Sequence, residues 1–188
     1  MRMAQATATA FTLPAQVSAQ EALVCFKAGI FGSVFRSLSY GPLRSLSQVY
    51  LPFLVHEIDI TLNGKTFRRV LGMEGTSGVM DLYGFDETPF AQAIALERTR
   101  NHFPPALEER QAQSLLLDRL RRMLFRRGFF RVLDLAFHIS SPAETVYIPY
   151  WVGLYGRKRA VRIRVLDAVR GQIEGAKARQ TVLQGLAG

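Results

Sequence analysis

Two rhythms of apolar and polar residues run along this chain. VYLPFLVHEIDITL, residues 49–62, is rich in β-branched and aromatic side chains and predicts a long strand. Asn63-Gly64 follows it, the strongest short hairpin signal in the chain, and leads into a second strand, KTFRRVLGME. Gly75 to Gly78 predicts a turn and VMDLYGF a short last strand. Ahead of these, Pro14 to Phe31 reads as a helix. Ser18 and Glu21 have capping-box spacing, Ala22, Leu23, Cys25, Phe26 and Ile30 share a face, and Gly29 and Gly32 end it. SVFRSLSYGPLRSLSQVY then predicts a strand, a break at Gly41-Pro42 and the entry to the next strand.

The same rhythms return in the second half. Residues 106–128 predict a helix, with Leu116, Leu120, Met123 and Leu124 on one face and Arg119, Arg122 and Arg126 on another. FFRVLDLAFHIS and TVYIPYWVGLYG predict strands separated by an SSPAE turn, and GRKR is a basic turn. In AVRIRVLDAV, Val161, Ile163 and Val165 alternate with Arg162 and Arg164. Arg170-Gly171 turns the chain, and EGAKARQTVLQGL predicts a closing helix.

Laid side by side, the halves correspond in order. Gly29-Ile30-Phe31 matches Gly128-Phe129-Phe130, Val49-Tyr50-Leu51-Pro52 matches Val146-Tyr147-Ile148-Pro149, and Arg69-Val70-Leu71 matches Arg164-Val165-Leu166. The expected fold is therefore α+β: two similar helix-plus-antiparallel-sheet halves, a tandem structural repeat with a pseudo-twofold axis. The boundaries are a loose tail over 1–12, a first half over 13–85, a connection over 86–105 and a second half over 106–188. Pro52 and Pro149 lie inside strand patterns. Proline gives no N–H to a ladder, so each is expected at a sheet edge or bulge. Tyr147, Pro149, Trp151, Gly153 and Tyr155 alternate with Val146, Ile148, Tyr150, Val152 and Leu154, so both faces of that strand are apolar.

The terminal segment VRIRVLDAVRGQIEG resembles the closing hairpin of PepSY-type modules: alternation, an aspartate, then a glycine turn. The likeness spans about 15 residues. It implies a small helix-plus-sheet unit with a regulatory or inhibitory rather than a catalytic role. The first half departs from it, with Gly72 where the aspartate would stand.

Composition sets the class. Of 188 residues, 48% are hydrophobic and 21% charged, a globular balance without a stretch long enough to span a membrane. The first residues lack the apolar core of a signal peptide. A single cysteine, Cys25, excludes an intrachain disulfide and suits a reducing, cytoplasmic compartment. Charge is uneven. Residues 1–97 hold 7 Lys/Arg against 8 Asp/Glu, whereas residues 98–188 hold 17 against 7, so the net +9 resides in the second half. An anionic partner follows from that asymmetry.

Catalytic signals are thin. His56, His102 and His138 are scattered and none has metal-ligand spacing. There is no G-x-S-x-G elbow or P-loop, and Gly72-x-x-Gly75-x-x-Gly78 reads as a turn. Neither a cofactor nor a metal is expected. The basic features carry more: Arg119, Arg122, Arg126 and Arg127 on the helix, Arg157, Lys158 and Arg159 in the turn, and Arg162 and Arg164 on the strand. Tyr150, Trp151 and Tyr155 lie beside them. The leading expectation is a non-catalytic module that binds a protein partner through the basic second half. The alternative is nucleic acid, with cations on phosphates and aromatics on bases. An anionic membrane surface ranks lower, and a small-molecule or enzymatic domain is third in order of function.

Overall fold

The computed structural model describes residues 10–28, 41–96, 99, 101–126, 134–157 and 160–187. In chain order they form β1 (Phe11–Thr12), α1 (Ala19–Ala28), β2 (Leu43–Leu62), β3 (Lys65–Glu74), β4 (Tyr83–Phe85), a 3-10 turn (Pro89–Gln92), β5 (Ile94–Ala95), α2 (Glu109–Arg126), β6 (Leu135–Ile139), β7 (Glu144–Arg157), β8 (Ala160–Asp167), β9 (Gln172–Ile173) and α3 (Ala176–Ala187). The protein is α+β: among the described residues, three helices and one mixed sheet of nine strands. The expected separate antiparallel sheets are not seen. One path runs β4-β3-β2-β7-β1-β5, with β6 also on β2, β8 on β7 and β9 on β8.

Local sequence explains the element ends. Ser18 caps α1: its N–H and hydroxyl both donate to Glu21 Oε2 at 2.8 Å, and its Oγ accepts the Glu21 N–H. These bonds draw the exposed Glu21 carboxyl below its usual range. Asn63 and Gly64 turn β2 into β3 with φ of 50° and 74°, a left-handed pair that this dipeptide adopts at low cost. Phe11 and Thr12, expected in the tail, are a strand. Thr12 pairs in parallel with Tyr147, and the Tyr147 carbonyl accepts both the Thr12 hydroxyl and the Leu13 N–H.

The two proline strands are neighbours. β2 and β7 pair antiparallel from Leu43 opposite Tyr155 to Val55 opposite Glu144, which sets Leu51 against Ile148 at the centre. Both prolines thus lie in central strands, not at the sheet edge. Tyr50 gives its N–H to Asn101 O and accepts that of Phe103, while Pro52 O accepts the Gly75 N–H. Backbone polar groups alternate sides along a strand. The missing N–H of Pro52 therefore faces the edge away from β7, where one neighbour, residues 101–103, gives way to another, the end of β3. Pro149 repeats the pattern, with Tyr147 O bound to Leu13 and Pro149 O to the Ala168 N–H. In each strand the residue without an N–H falls where one neighbour gives way to the next, a place where a sheet tolerates proline.

One face of the sheet carries the largest core. Leu51, Phe53, Ile148, Tyr150, Val152 and Val165 lie under Ala178 and Val182 of α3. On the other face, α2 sets Ala112, Leu116 and Leu120 against Leu54, Ile58 and Met73. There α1 sets Ala22 and Phe26 against Tyr155 and Leu166. Helix α1 packs on β7 and β8 and also on Leu43 and Leu46 of β2, and α2 packs on β2 and β3 and also on Phe137 and Ile139 of β6. The helices therefore cover one shared sheet, as the pairing of β2 with β7 requires, rather than a separate sheet for each half. Pairing along β2–β7 makes one continuous apolar surface, and each large side chain buried on it contributes about 1.5–3 kcal/mol wherever its helix originates. Gly153 permits the close approach of α1: a Cβ there would meet Phe26 and Leu43 at 3.1 Å.

Candidate functional site

Of the nine predicted basic residues, four have described side chains, and they lie on two elements: Arg119 and Arg122 on α2, Arg162 and Arg164 on β8. The Arg119 guanidinium is half-buried and bonded to the carbonyls of Gly78 and Met80, so it ties α2 to the 75–82 loop. Arg122 is exposed and rests its Nε–H on Asp118 O at 3.2 Å. Arg162 is exposed, whereas Arg164 is half-buried with its guanidinium 5.8 Å from the Phe26 ring centre. Arg127, Lys158 and Arg159 lie outside the described residues, as do the side chains of Arg126 and Arg157.

The three aromatics are committed inward. Tyr150 and Tyr155 are 0% and 1% exposed, and Tyr155 donates to Phe26 O at 3.1 Å. Trp151 is half-buried and its Nε1–H donates to Val17 O at 2.8 Å. Tyr150 and Tyr155 offer no ring face of the kind that stacks on bases, and the half-buried Trp151 is tied down through its indole N–H. His56 is fully buried beneath α2 with both ring nitrogens unpaired, and burial pushes its imidazole down toward the neutral form.

Two buried carboxylates mark the ends of two hairpins. Glu74 ends β3 directly opposite Phe53, and Asp167 ends β8 directly opposite Tyr150. Each accepts main-chain N–H groups two and three residues on: Thr76 and Ser77 for Glu74, Val169 and Arg170 for Asp167. Each is followed by an N–H bonded to a proline carbonyl, Gly75 to Pro52 and Ala168 to Pro149. Glu74 is then closed off. The Thr76 hydroxyl donates to its Oε1 and the Ser77 hydroxyl to its Oε2 at 2.8 Å.

The Asp167 turn is left open. Oδ1 takes the Val169 and Arg170 N–H groups at 2.8 and 2.9 Å, but Oδ2 is buried without a partner. Arg170, at the place of Ser77, turns away: its guanidinium stacks 3.4 Å from the Tyr83 ring centre and donates to Gly84 O. The buried hydroxyls of Tyr83 and Tyr150 also lack hydrogen bonds. Burial first, and then the Asp167 charge, pushes both phenols well up. Asp167 thus acts on Tyr83 electrostatically without a hydrogen bond of normal geometry. Tyr83, Tyr150 and Arg170, though not Asp167 itself, border a cavity of about 460 Å³, lined also by Met80, Glu174 and Lys177. Burial and the nearby Asp167 charge raise the Glu174 carboxyl.

A second, more apolar cleft of about 790 Å³ adjoins it between α2, the 77–82 loop and α3. Leu115, Met123, Val79 and Leu82 line it together with Arg119, Arg122, Lys177 and Asp81, a net charge of +2. Lys177 pairs with Asp81 at the border of the two hollows. Among the described residues, no group of three or more His, Cys, Asp or Glu side chains is placed to hold a metal ion. No helix of the described residues is long and apolar enough to cross a membrane.

Sequence reasoning missed Tyr83, Asp167 and Glu174 as site residues and read Arg170 as a turn residue only. The aspartate-then-glycine hairpin ending was the one visible signal. In the observed register Glu74, not Gly72, takes the place in the first hairpin that Asp167 takes in the second. No family model, curated protein or solved structure matches the chain, so the PepSY-type resemblance has no support beyond the segment itself.

Proposed function

We propose that the protein is a non-catalytic interaction module that binds an acidic, partly apolar segment of a protein partner in the cleft that α2 and α3 of the second half form with the 77–82 loop of the first. The carrying observation is the cleft's composition: an apolar floor of Leu115, Met123 and Leu82 beneath three cations and one acid. An exposed apolar floor with a basic rim receives an amphipathic segment by burying its apolar side chains and pairing its carboxylates. Met123 is 39% exposed, so contact area is present before any partner arrives.

We further read the chain as two copies of one helix–strand–strand–strand unit. Three observations support it: the Leu51–Ile148 centre of pairing, the matched proline bonds and the paired carboxylate turns. Nucleic acid is the weaker reading, because Tyr150, Trp151 and Tyr155 are turned inward.

A displayed peptide library panned against the full chain tests the proposal. Enriched peptides should combine Asp or Glu with Leu or Phe, and Arg122→Glu should weaken them at least about tenfold, with binding falling as salt rises. Enrichment indifferent to Arg122→Glu would place the partner elsewhere. Tighter, salt-dependent binding of single-stranded RNA or DNA in fluorescence anisotropy would reverse the ranking.

A further inference from the structure

The cavity beside the Asp167 turn has a chemistry the partner-binding cleft lacks. Tyr150 lines it, is 0% exposed, and its hydroxyl has no partner. Asp167 stands across the β7–β8 ladder from Tyr150, so both side chains project from the same face. Asp167 stands behind the cavity wall, where its charge acts on Tyr83, Tyr150 and Glu174. A buried polar atom left unpaired costs about 1–3 kcal/mol, and here three such atoms, Tyr83 Oη, Tyr150 Oη and Asp167 Oδ2, share one neighbourhood.

Charge narrows the ligand class. Asp81 and Glu174 line the hollow with Arg170 and Lys177, a balance of zero, and the Asp167 charge behind the wall reaches Glu174 in a chain of net +9. Lys177 is engaged with Asp81, and Arg170 with the Tyr83 ring and Gly84 O, so the Glu174 carboxyl remains for a third cation. The remaining walls include Met80, Leu82 and Ala178, which suit a short hydrocarbon. At about 460 Å³ the hollow lies within the usual range for small-molecule sites.

We propose that this cavity binds a small organic ammonium, its N–H donors received by Glu174 and the Tyr150 hydroxyl, its hydrocarbon against Met80 and Leu82. The hollow shares Asp81, Leu82 and Lys177 with the cleft, but Tyr150 and Glu174 belong to the hollow alone, so variants there test it apart from the protein partner.

The test titrates the full chain with three near-isosteric probes, n-butylammonium, n-butanol and butyrate, and follows amide chemical shifts. Saturable binding is expected for n-butylammonium alone, with shifts centred on residues 167–178. Tyr150→Phe and Glu174→Gln should each weaken it by about tenfold or more. Tyr150→Phe removes one hydroxyl and keeps the ring, so it serves where Glu174→Gln fails to fold. No saturable n-butylammonium binding, equal or tighter binding of n-butanol or butyrate, or unchanged affinity in both variants would overturn the assignment.

Discussion

The turns after β3 and β8 begin alike and end differently. Glu74 and Asp167 are both buried, both take N–H groups from residues two and three ahead, and both follow a strand opposite a large aromatic. At Glu74 the aromatic is Phe53 and the third residue is Ser77, whose hydroxyl seals the second carboxylate oxygen. At Asp167 the aromatic is Tyr150 and the third residue is Arg170, which leaves for the Tyr83 ring. Two changes of residue type turn a closed structural device into one with unsatisfied groups beside a cavity. Buried polar groups are normally paired, so the exception points to the place where something else belongs.

The largest effect should come from breaking the closed turn. Glu74→Ala strands two N–H groups and two hydroxyls in a buried setting and should cost about 3 kcal/mol in urea unfolding, whereas Asp167→Ala should cost clearly less. Equal losses would erase the distinction between closed and open. Next, Phe53→Tyr imports the unpaired hydroxyl into the closed site and should destabilise by about 2 kcal/mol through desolvation and crowding. The reciprocal Tyr150→Phe should do the opposite. Relieving one unpaired hydroxyl should raise the thermal midpoint of the ligand-free protein by about 2 °C, read by circular dichroism. A marked fall would mean that the Tyr150 hydroxyl is already satisfied within the fold.

The smallest effect is a pH dependence at Glu174. Its carboxyl is raised in the folded state by burial, Asp167 and Asp81, and eased down by Arg170 and the Gly175 N–H. A raised carboxyl favours folding while protonated, so that contribution is present below the ordinary 4.5 and is lost as pH rises through the folded value. Glu174→Gln should therefore be the more stable protein at neutral pH, with the gap closing on acidification. Matched urea midpoints across that range measure it, and a gap that widens in acid contradicts the assigned direction. By the same competition, protons should displace n-butylammonium as pH falls, beginning above the range of an ordinary carboxylate.

Much of this molecule was legible locally. Ser18 with Glu21 announced the start of α1, Asn63-Gly64 announced the β2–β3 hairpin, and the periodicity of 106–128 announced α2. Each rests on neighbours a few residues apart, where backbone geometry and side-chain reach decide the outcome. The arginine face of α2 was legible as a pattern but not in its use. Nothing near Arg119 in sequence says that its guanidinium will bind the carbonyls of Gly78 and Met80, about 40 positions away.

By itself the sequence determined the strand and helix types, the alternation that makes both faces of β7 apolar, and a charge confined to the second half. Only the tertiary structure decided that β2 and β7 pair through Leu51 and Ile148, and that the helices share one sheet. It also decided that Tyr150 is buried above Asp167 with its hydroxyl unpaired. The reason is physical. A period of two fixes which residues share a face, but not what covers that face. Apolar side chains bury equally well against any apolar partner, so cover, and with it the difference between a sealed carboxylate and an open one, is settled only when the distant segments meet.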